Sequence, residues 1–246
     1  QDVEKMAIPM YKRVMHAVDG SLTDQQYGQD GEAIYSVSRG GLNQLLMNLA
    51  GEQENVNMHF NYKCVDVDLK SASATFEHND GNQKNVDAEM IIGADGAYSV
   101  IRSKMIKQDR FQYSQHYIEH GYKELTIPAN SDGTHKLEVN ALHIWPRGSY
   151  MLIALPNMDG SFTCTLFFPY EGEYSFNNLQ TKQQVYNFFK EVFTDTLDLI
   201  PNLVEEYFQN PTSSLAIMRC NPWTVEDKVL LIGDAAHATV PFYGQG

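Results

Sequence analysis

The chain has 246 residues, 43% of them hydrophobic, and a formal net charge of −13. That is enough apolar content for a sizeable core in one or two domains. The acidic excess excludes a phosphate-neutralising nucleic-acid surface and simple attraction to anionic lipid, and no run approaches the about 18 apolar residues of a membrane span.

The opening QDVEKM lacks the apolar stretch of a signal peptide. From there the pattern predicts a helix end running into a strand over YKRVMHAV, closed by Asp19-Gly20, and a further strand in 31–38. In RGGLNQLLMNLA, Leu42, Leu45, Leu46 and Leu49 recur at helical spacing. Gly40 and Gly41 stand in the first turn of that helix, where each costs about 1 kcal/mol relative to alanine. Residues 56–92 predict a meander of VNMHF, KCVDVDLK, SATFEH and VDAEMIIG, turning at Asn79-Asp80-Gly81. Beyond Arg110, LHIWPRGSYMLIALP and SFTCTLFFPY each read as one strand, joined at Asn157-Met158-Asp159-Gly160, a hairpin signal. Phe162, Phe167 and Phe168 read as core. Residues 181–193, and 202–208 after Pro201, are helical by pattern. Cys64, Cys164 and Cys220 are odd in number and lack CxxC spacing, so they read as reduced thiols, with neither a disulfide framework nor a metal.

The final string, VLLIGDAAHATVPFYGQG, is an apolar strand ending in Gly233-Asp234 and opening into small residues. A carboxylate there lies at the carboxyl edge of a sheet, where open α/β folds bind ligands, and small residues let a ligand approach the backbone. A second string, MIIGADGAYSVIRSKM (90–105), runs from an apolar strand through Asp95-Gly96 into a helix-compatible segment with Arg102. The two strings resemble the GD and DG motifs of the flavoprotein aromatic hydroxylases. Those motifs imply that Asp234 holds the ribityl chain of FAD, with Asp95 near its pyrophosphate and the NAD(P)H path.

The fold class expected is α/β: an incomplete Rossmann-like FAD-binding domain (34–110 and 226–246) interleaved with an antiparallel-sheet substrate domain (10–33 and 111–225). The active site is expected where the two domains meet. No GxGxxG fingerprint occurs, and the chain reads as a fragment lacking its first βαβ unit and all residues after the GD loop. Alone it is expected to bind FAD weakly and not to turn over.

HGYKELTIP (120–128), LHIWPR (142–147), MLIALPN, SFTCTLF and the GD string together resemble the kynurenine 3-monooxygenase family over about 10–246. The resemblance implies hydroxylation of L-kynurenine beside its ring amino group with FAD, NADPH and dioxygen. The cofactor carries the chemistry, and the protein supplies position, electrostatics and exclusion of water. It also implies that Arg13 and Tyr27 bind the substrate carboxylate, for which a guanidinium fork and a phenol are suited donors. Phe242 is expected against the kynurenine ring, and Arg39, Cys64, Pro241 and Gln245 against FAD. His237 reads as structural. Location on the cytosolic face of the mitochondrial outer membrane is implied by the resemblance alone, through a carboxyl-terminal region outside this chain. Two alternatives are a related flavin hydroxylase or reductase with another substrate, and a non-catalytic truncated product.

Overall fold

A computed structural model describes residues 2–29 and 31–242. In chain order the strands and helices are β1 (Ala7–Met10), β2 (Lys12–His16), β3 (Leu22–Gln26), β4 (Ile34–Val37), α1 (Arg39–Gly51), β5 (Tyr62–Asp68), β6 (Ser73–His78), β7 (Gln83–Asp87), β8 (Ile91–Gly93) and α2 (Val100–Met105). They continue as β9 (Gln112–Ile127), β10 (Ala141–Arg147), β11 (Tyr150–Pro156), β12 (Phe162–Pro169), α3 (Lys182–Val192), α4 (Thr196–Leu199), α5 (Leu203–Gln209), β13 (Ser213–Asn221), β14 (Thr224–Val225), β15 (Val229–Leu231) and β16 (His237–Ala238). The chain forms two compact units, 1–56 with 119–214 and 57–118 with 215–246.

In the first unit a sheet runs in the order β9-β12-β11-β10-β2-β3, antiparallel throughout except for the parallel pair β10–β2. Alternation gives the sheet two faces. One face carries Val14, Trp145, Leu152, Ala154, Phe162, Cys164 and Leu166, all buried. Phe188, Phe189 and Phe193, at and beside α3, complete that core with Leu203 and Tyr207 of α5. The expected core role of Phe162, Phe167 and Phe168 holds, with each at most 3% exposed. The opposite face, carrying Arg13, Met15, Leu142, Ile144, Met151 and Ile153, is half-buried.

Helix α3 begins where the pattern places it, because Thr181 and Gln184 form a reciprocal capping box. Helix α1 also forms as expected. Ser38 accepts from Gly41 N at its start, and a Cβ on Gly41 would lie 2.7 Å from Met6 Cε. Gly160 closes the β11–β12 hairpin at φ +87°, with Gly133 O 2.4 Å from where a Cβ would stand. Gly160→Ala is therefore expected to cost about 2 kcal/mol or more, read as a lower urea midpoint.

The second unit holds the antiparallel meander β5-β6-β7, a small sheet β14-β15-β8 and the pair β13–β16. Strands β8 and β15 are parallel, as a Rossmann-like sheet requires. The core of this unit gathers Val67, Leu69, Ile101, Met105, Val229, Leu231, Ala235 and Ala236.

Two expectations change. VNMHF forms no strand. LHIWPRGSYMLIALP is two strands folded back at Gly148, whose φ is +70°. Strand β9, 16 residues long, carries little strand signal in its sequence, because its buried positions begin with Gly121 and Lys123 before Leu125 and Ile127. The compact units also divide the chain elsewhere than the expected boundaries. Residues 34–56 lie in the first unit, where β4 pairs with β1 and Ser36 Oγ donates to Pro156 O.

Candidate functional site

In the second unit β8 and β15 run side by side in the register Val229↔Ile91, Leu230↔Ile92, Leu231↔Gly93. The Asp95-Gly96 and Gly233-Asp234 loops therefore leave the same carboxyl edge, where ligands of parallel sheets lie. Gly93 permits α2 to cross closely, since a Cβ there would sit 2.9 Å from Leu231 Cδ2 and 3.0 Å from Ile101 Cδ1.

Asp95 Oδ2 accepts from the Val100 and Ile101 N–H groups at 2.7 and 3.4 Å, and Ser99 Oγ accepts from Arg102 N at 2.9 Å. One carboxylate oxygen of Asp95 is thus committed to the open end of α2. Asp234 differs. Its carboxylate is exposed and accepts no hydrogen bond from the described residues.

The two loops are tied by Arg102, which is 3% exposed. Its guanidinium donates to Ala235 O at 2.8 Å, to Asp234 O at 3.3 Å and to Ala97 O, with Met218 Sδ at 3.3 Å and the Tyr113 ring centroid at 5.2 Å. Cys220 Sγ donates to Ala236 O at 3.1 Å, and the Trp223 and His237 rings lie 5.3 Å apart. Sequence alone assigns neither Arg102 nor Cys220 to the site. The available signal is a cation placed on the buried side of a short helix, between Ile101 and Met105.

Cys64 is half-buried beside a bulge in β5, its thiol donating to Asp66 O at 3.6 Å. Burial first, and then the charge of Asp95, push that thiol up, so it stays protonated. Pro241 is exposed and Phe242 half-buried. Gln245 lies outside the described residues.

The chemistry of these loops fits FAD. A Cβ added at Gly96 (φ +79°) or Gly233 (φ +56°) would meet nothing within 4 Å, so both backbones are open to a ligand. Beside them stand the unpartnered acceptor Asp234 and the exposed apolar side chains of Ile92, Ile232 and Tyr98. This combination suits a polyol, whose hydroxyls donate, attached to a flat ring system.

The first unit holds a different feature. Arg13 on β2 lies with its guanidinium carbon 5.0 Å from the Tyr27 ring centroid, because the β2–β3 hairpin sets Arg13 opposite Gln25. Tyr27 N–H donates to Tyr11 O, which fixes the chain beyond β3. Arg13 Nε is buried and has no acceptor among the described residues. Burial pushes the Tyr27 phenol up, opposed by the Arg13 charge, so the hydroxyl remains a donor. Arg39, at the first turn of α1 in the same unit, is exposed and borders an open groove with Leu42, Asn43 and Leu46. The structure thus brings Arg13 to Tyr27, and joins the Asp95 loop to the Asp234 loop.

Residues 10–246 match the family model described as FAD binding domain. The chain is 54% identical to kynurenine 3-monooxygenase of Flavobacterium johnsoniae over 99% of its own length and 54% of that protein. It is 50% identical to the enzyme of the same name from Dictyostelium discoideum, over 100% of this chain and 53% of that one. The chain therefore spans about half the length of the curated relatives it matches. Among solved structures, 2-methyl-3-hydroxypyridine-5-carboxylic acid oxygenase superposes with a TM-score of 0.69 at 19% identity, over 98% of this chain and 61% of that one. That likeness is one of fold. With a match covering nearly its whole length and the parallel β8–β15 edge its fold requires, the chain belongs to the FAD binding domain family.

Proposed function

We propose that this chain is part of an FAD- and NADPH-dependent monooxygenase that hydroxylates L-kynurenine to 3-hydroxykynurenine. The observation that carries the reading is Arg13. A buried guanidinium nitrogen without an acceptor, against a tyrosine ring, is what a site for a ligand carboxylate requires. Both curated relatives are named for kynurenine, a ligand with such a carboxylate.

Bound FAD would supply the redox chemistry, drawing electrons from NADPH and activating dioxygen. The residues of this chain bind and orient. Asp234 accepts from the ribityl hydroxyls, and the Asp95 loop, closed on α2, lines the path toward the pyrophosphate. Arg102 keeps both loops in place. Cys64 contributes its strand backbone, and Pro241, Gln245 and Arg39 contact the cofactor. Arg13 and the Tyr27 hydroxyl hold the amino-acid carboxylate, and Phe242 stands against the aromatic ring. Neither this chain's residues nor its family fixes a compartment. F. johnsoniae is a bacterium, and no helix among the described residues is long and apolar enough to cross a membrane.

The test is NADPH consumption by the full-length protein with and without L-kynurenine, with the product weighed for one added oxygen. Consumption that rises with kynurenine and yields the hydroxylated product supports the reading. Consumption indifferent to kynurenine and ending in peroxide overturns the substrate assignment. Asp234→Ala is expected to weaken FAD binding by about tenfold or more, the loss of hydrogen bonds to a charged acceptor, with unchanged melting of the cofactor-free protein. Flavin titration and thermal unfolding check this pair of outcomes.

A further inference from the structure

The LHIWPR segment contributes no group to the proposed chemistry, yet two of its side chains are fully inside the first unit. His143 and Trp145 point from β10 into the core, and His16 does so from the neighbouring β2; all three are at most 3% exposed. The His16 ring stacks on Trp145 at 3.9 Å and 25°. Its Nδ1 lies 2.9 Å from Asp195 Oδ2 and its Nε2 lies 3.0 Å from His143 Nδ1. His143 Nε2 in turn lies 2.9 Å from Glu138 O. Trp145 Nε1 donates to both oxygens of Asp195, at 2.9 and 2.8 Å.

Counting hydrogens along this chain fixes its charge. Glu138 O can only accept, so His143 Nε2 carries a hydrogen. Burial opposes ionisation of Asp195, but the bonds from His16 and Trp145 outweigh it and hold its carboxyl below the ordinary value. An ionised Asp195 can only accept, so His16 Nδ1 carries a hydrogen as well. A third must lie between the two nitrogens that face each other. Two neutral imidazoles own two ring hydrogens, and this arrangement needs three.

We propose that His16 and His143 share one proton beyond those of two neutral rings, making the Asp195–His16–His143–Glu138 chain a pH-sensitive bolt between β2, β10 and the turn before α4. The charges around it balance with that proton present. Lys12 pairs with Asp24 at 2.6 Å and Glu138 at 2.9 Å, and Arg147 faces Asp195 while donating to His16 O. Lys12, Arg147 and the histidine pair then stand against Asp24, Glu138 and Asp195. The remaining titratable group beside Arg147 is the Tyr150 phenol, which burial pushes up and keeps neutral.

The bolt weakens on either side of neutrality. Raising the pH removes the shared proton and leaves two ring lone pairs facing each other, or one facing the Asp195 carboxylate. In acid, a fourth hydrogen would set two N–H groups head to head. Burial already pushes His143 down, so stability from that ring is present above the ordinary histidine value and is lost as the pH falls below it.

The experiment is ring nitrogen NMR on the chain labelled with ¹⁵N-histidine, with the pair assigned through contacts to the Trp145 ring. At pH 7.5 three of the four ring nitrogens are expected to carry hydrogen, falling to two in alkali. Between the ordinary histidine value and that point the unfolding constant in urea is expected to rise by up to about tenfold per pH unit, the limit for one proton, and to level off beyond it. Asp195→Asn is expected to remove the third hydrogen at pH 7.5. Two hydrogens at pH 7.5 in the unaltered chain, or three retained in Asp195→Asn, would overturn the proposal. So would an unfolding constant that stays flat between the ordinary histidine value and the pH at which the third hydrogen is lost.

Discussion

Arg102→Met is expected to lower the stability of the cofactor-free protein by about 2–4 kcal/mol and to weaken FAD binding by at least tenfold. Three carbonyls, those of Ala97, Asp234 and Ala235, lose their donor; the buried one, Ala235 O, costs about 1–3 kcal/mol as an orphan, and the two part-buried ones cost less. Relief of charge offsets part of this. No carboxylate among the described residues pairs with Arg102, and its Nε has no partner, so the native guanidinium itself bears a burial cost. The carbonyls dominate because they belong to two loops that Arg102 ties together. Arg102→Lys retains the charge but lacks the planar fork, and is expected to restore less than half of the loss. Urea unfolding and flavin titration read the two effects separately. Asp234→Ala supplies the contrast, with affinity lost and stability kept. An Arg102→Met protein that melts and binds flavin like the original would show that the loops hold themselves.

The GD and DG loops are legible in the sequence because their constraints are local. A strand must end, a carboxylate must come next, and glycine is needed where the backbone takes a positive φ, as Gly96 and Gly233 do. Helix α3 is legible for the same kind of reason, through its capping box. The features that escape a sequence reading are fixed by distant contacts. Strand β9 hides its period because Gly121 makes room for Tyr170 and Lys123 reaches Asn210 O, neither of which is visible in a local window. The fold at Gly148 hides inside a continuous apolar run. Arg102 reads as one more basic residue in a helix until its acceptors, more than 130 positions on, are known. Asp95, expected to face the cofactor, serves α2 as well, since the same geometry that aims a carboxylate at a sheet edge aims it at the next helix.

The second large effect belongs to Arg13. In the full-length protein, Arg13→Met is expected to raise the KM for L-kynurenine about 30- to 150-fold, the 2–3 kcal/mol typical of removing one partner from a buried charge-assisted pair. Tyr27→Phe removes only a hydroxyl and keeps the ring beneath the guanidinium, so about fivefold, or roughly 1 kcal/mol, is expected. The order of the two matters more than their size. If Arg13 merely packed on Tyr27, both substitutions would alter melting and leave KM in step with it. If it binds a carboxylate, Arg13→Met leaves melting nearly unchanged, because the Nε that has no acceptor among the described residues is also removed. A kynurenine analogue lacking the carboxylate then becomes the sharper probe. It should bind the Arg13→Met protein and the original about equally, while the intact substrate distinguishes them. Equal loss of both ligands on Arg13→Met would assign the arginine to the architecture of the β2–β3 hairpin, and the carboxylate would have to be held elsewhere.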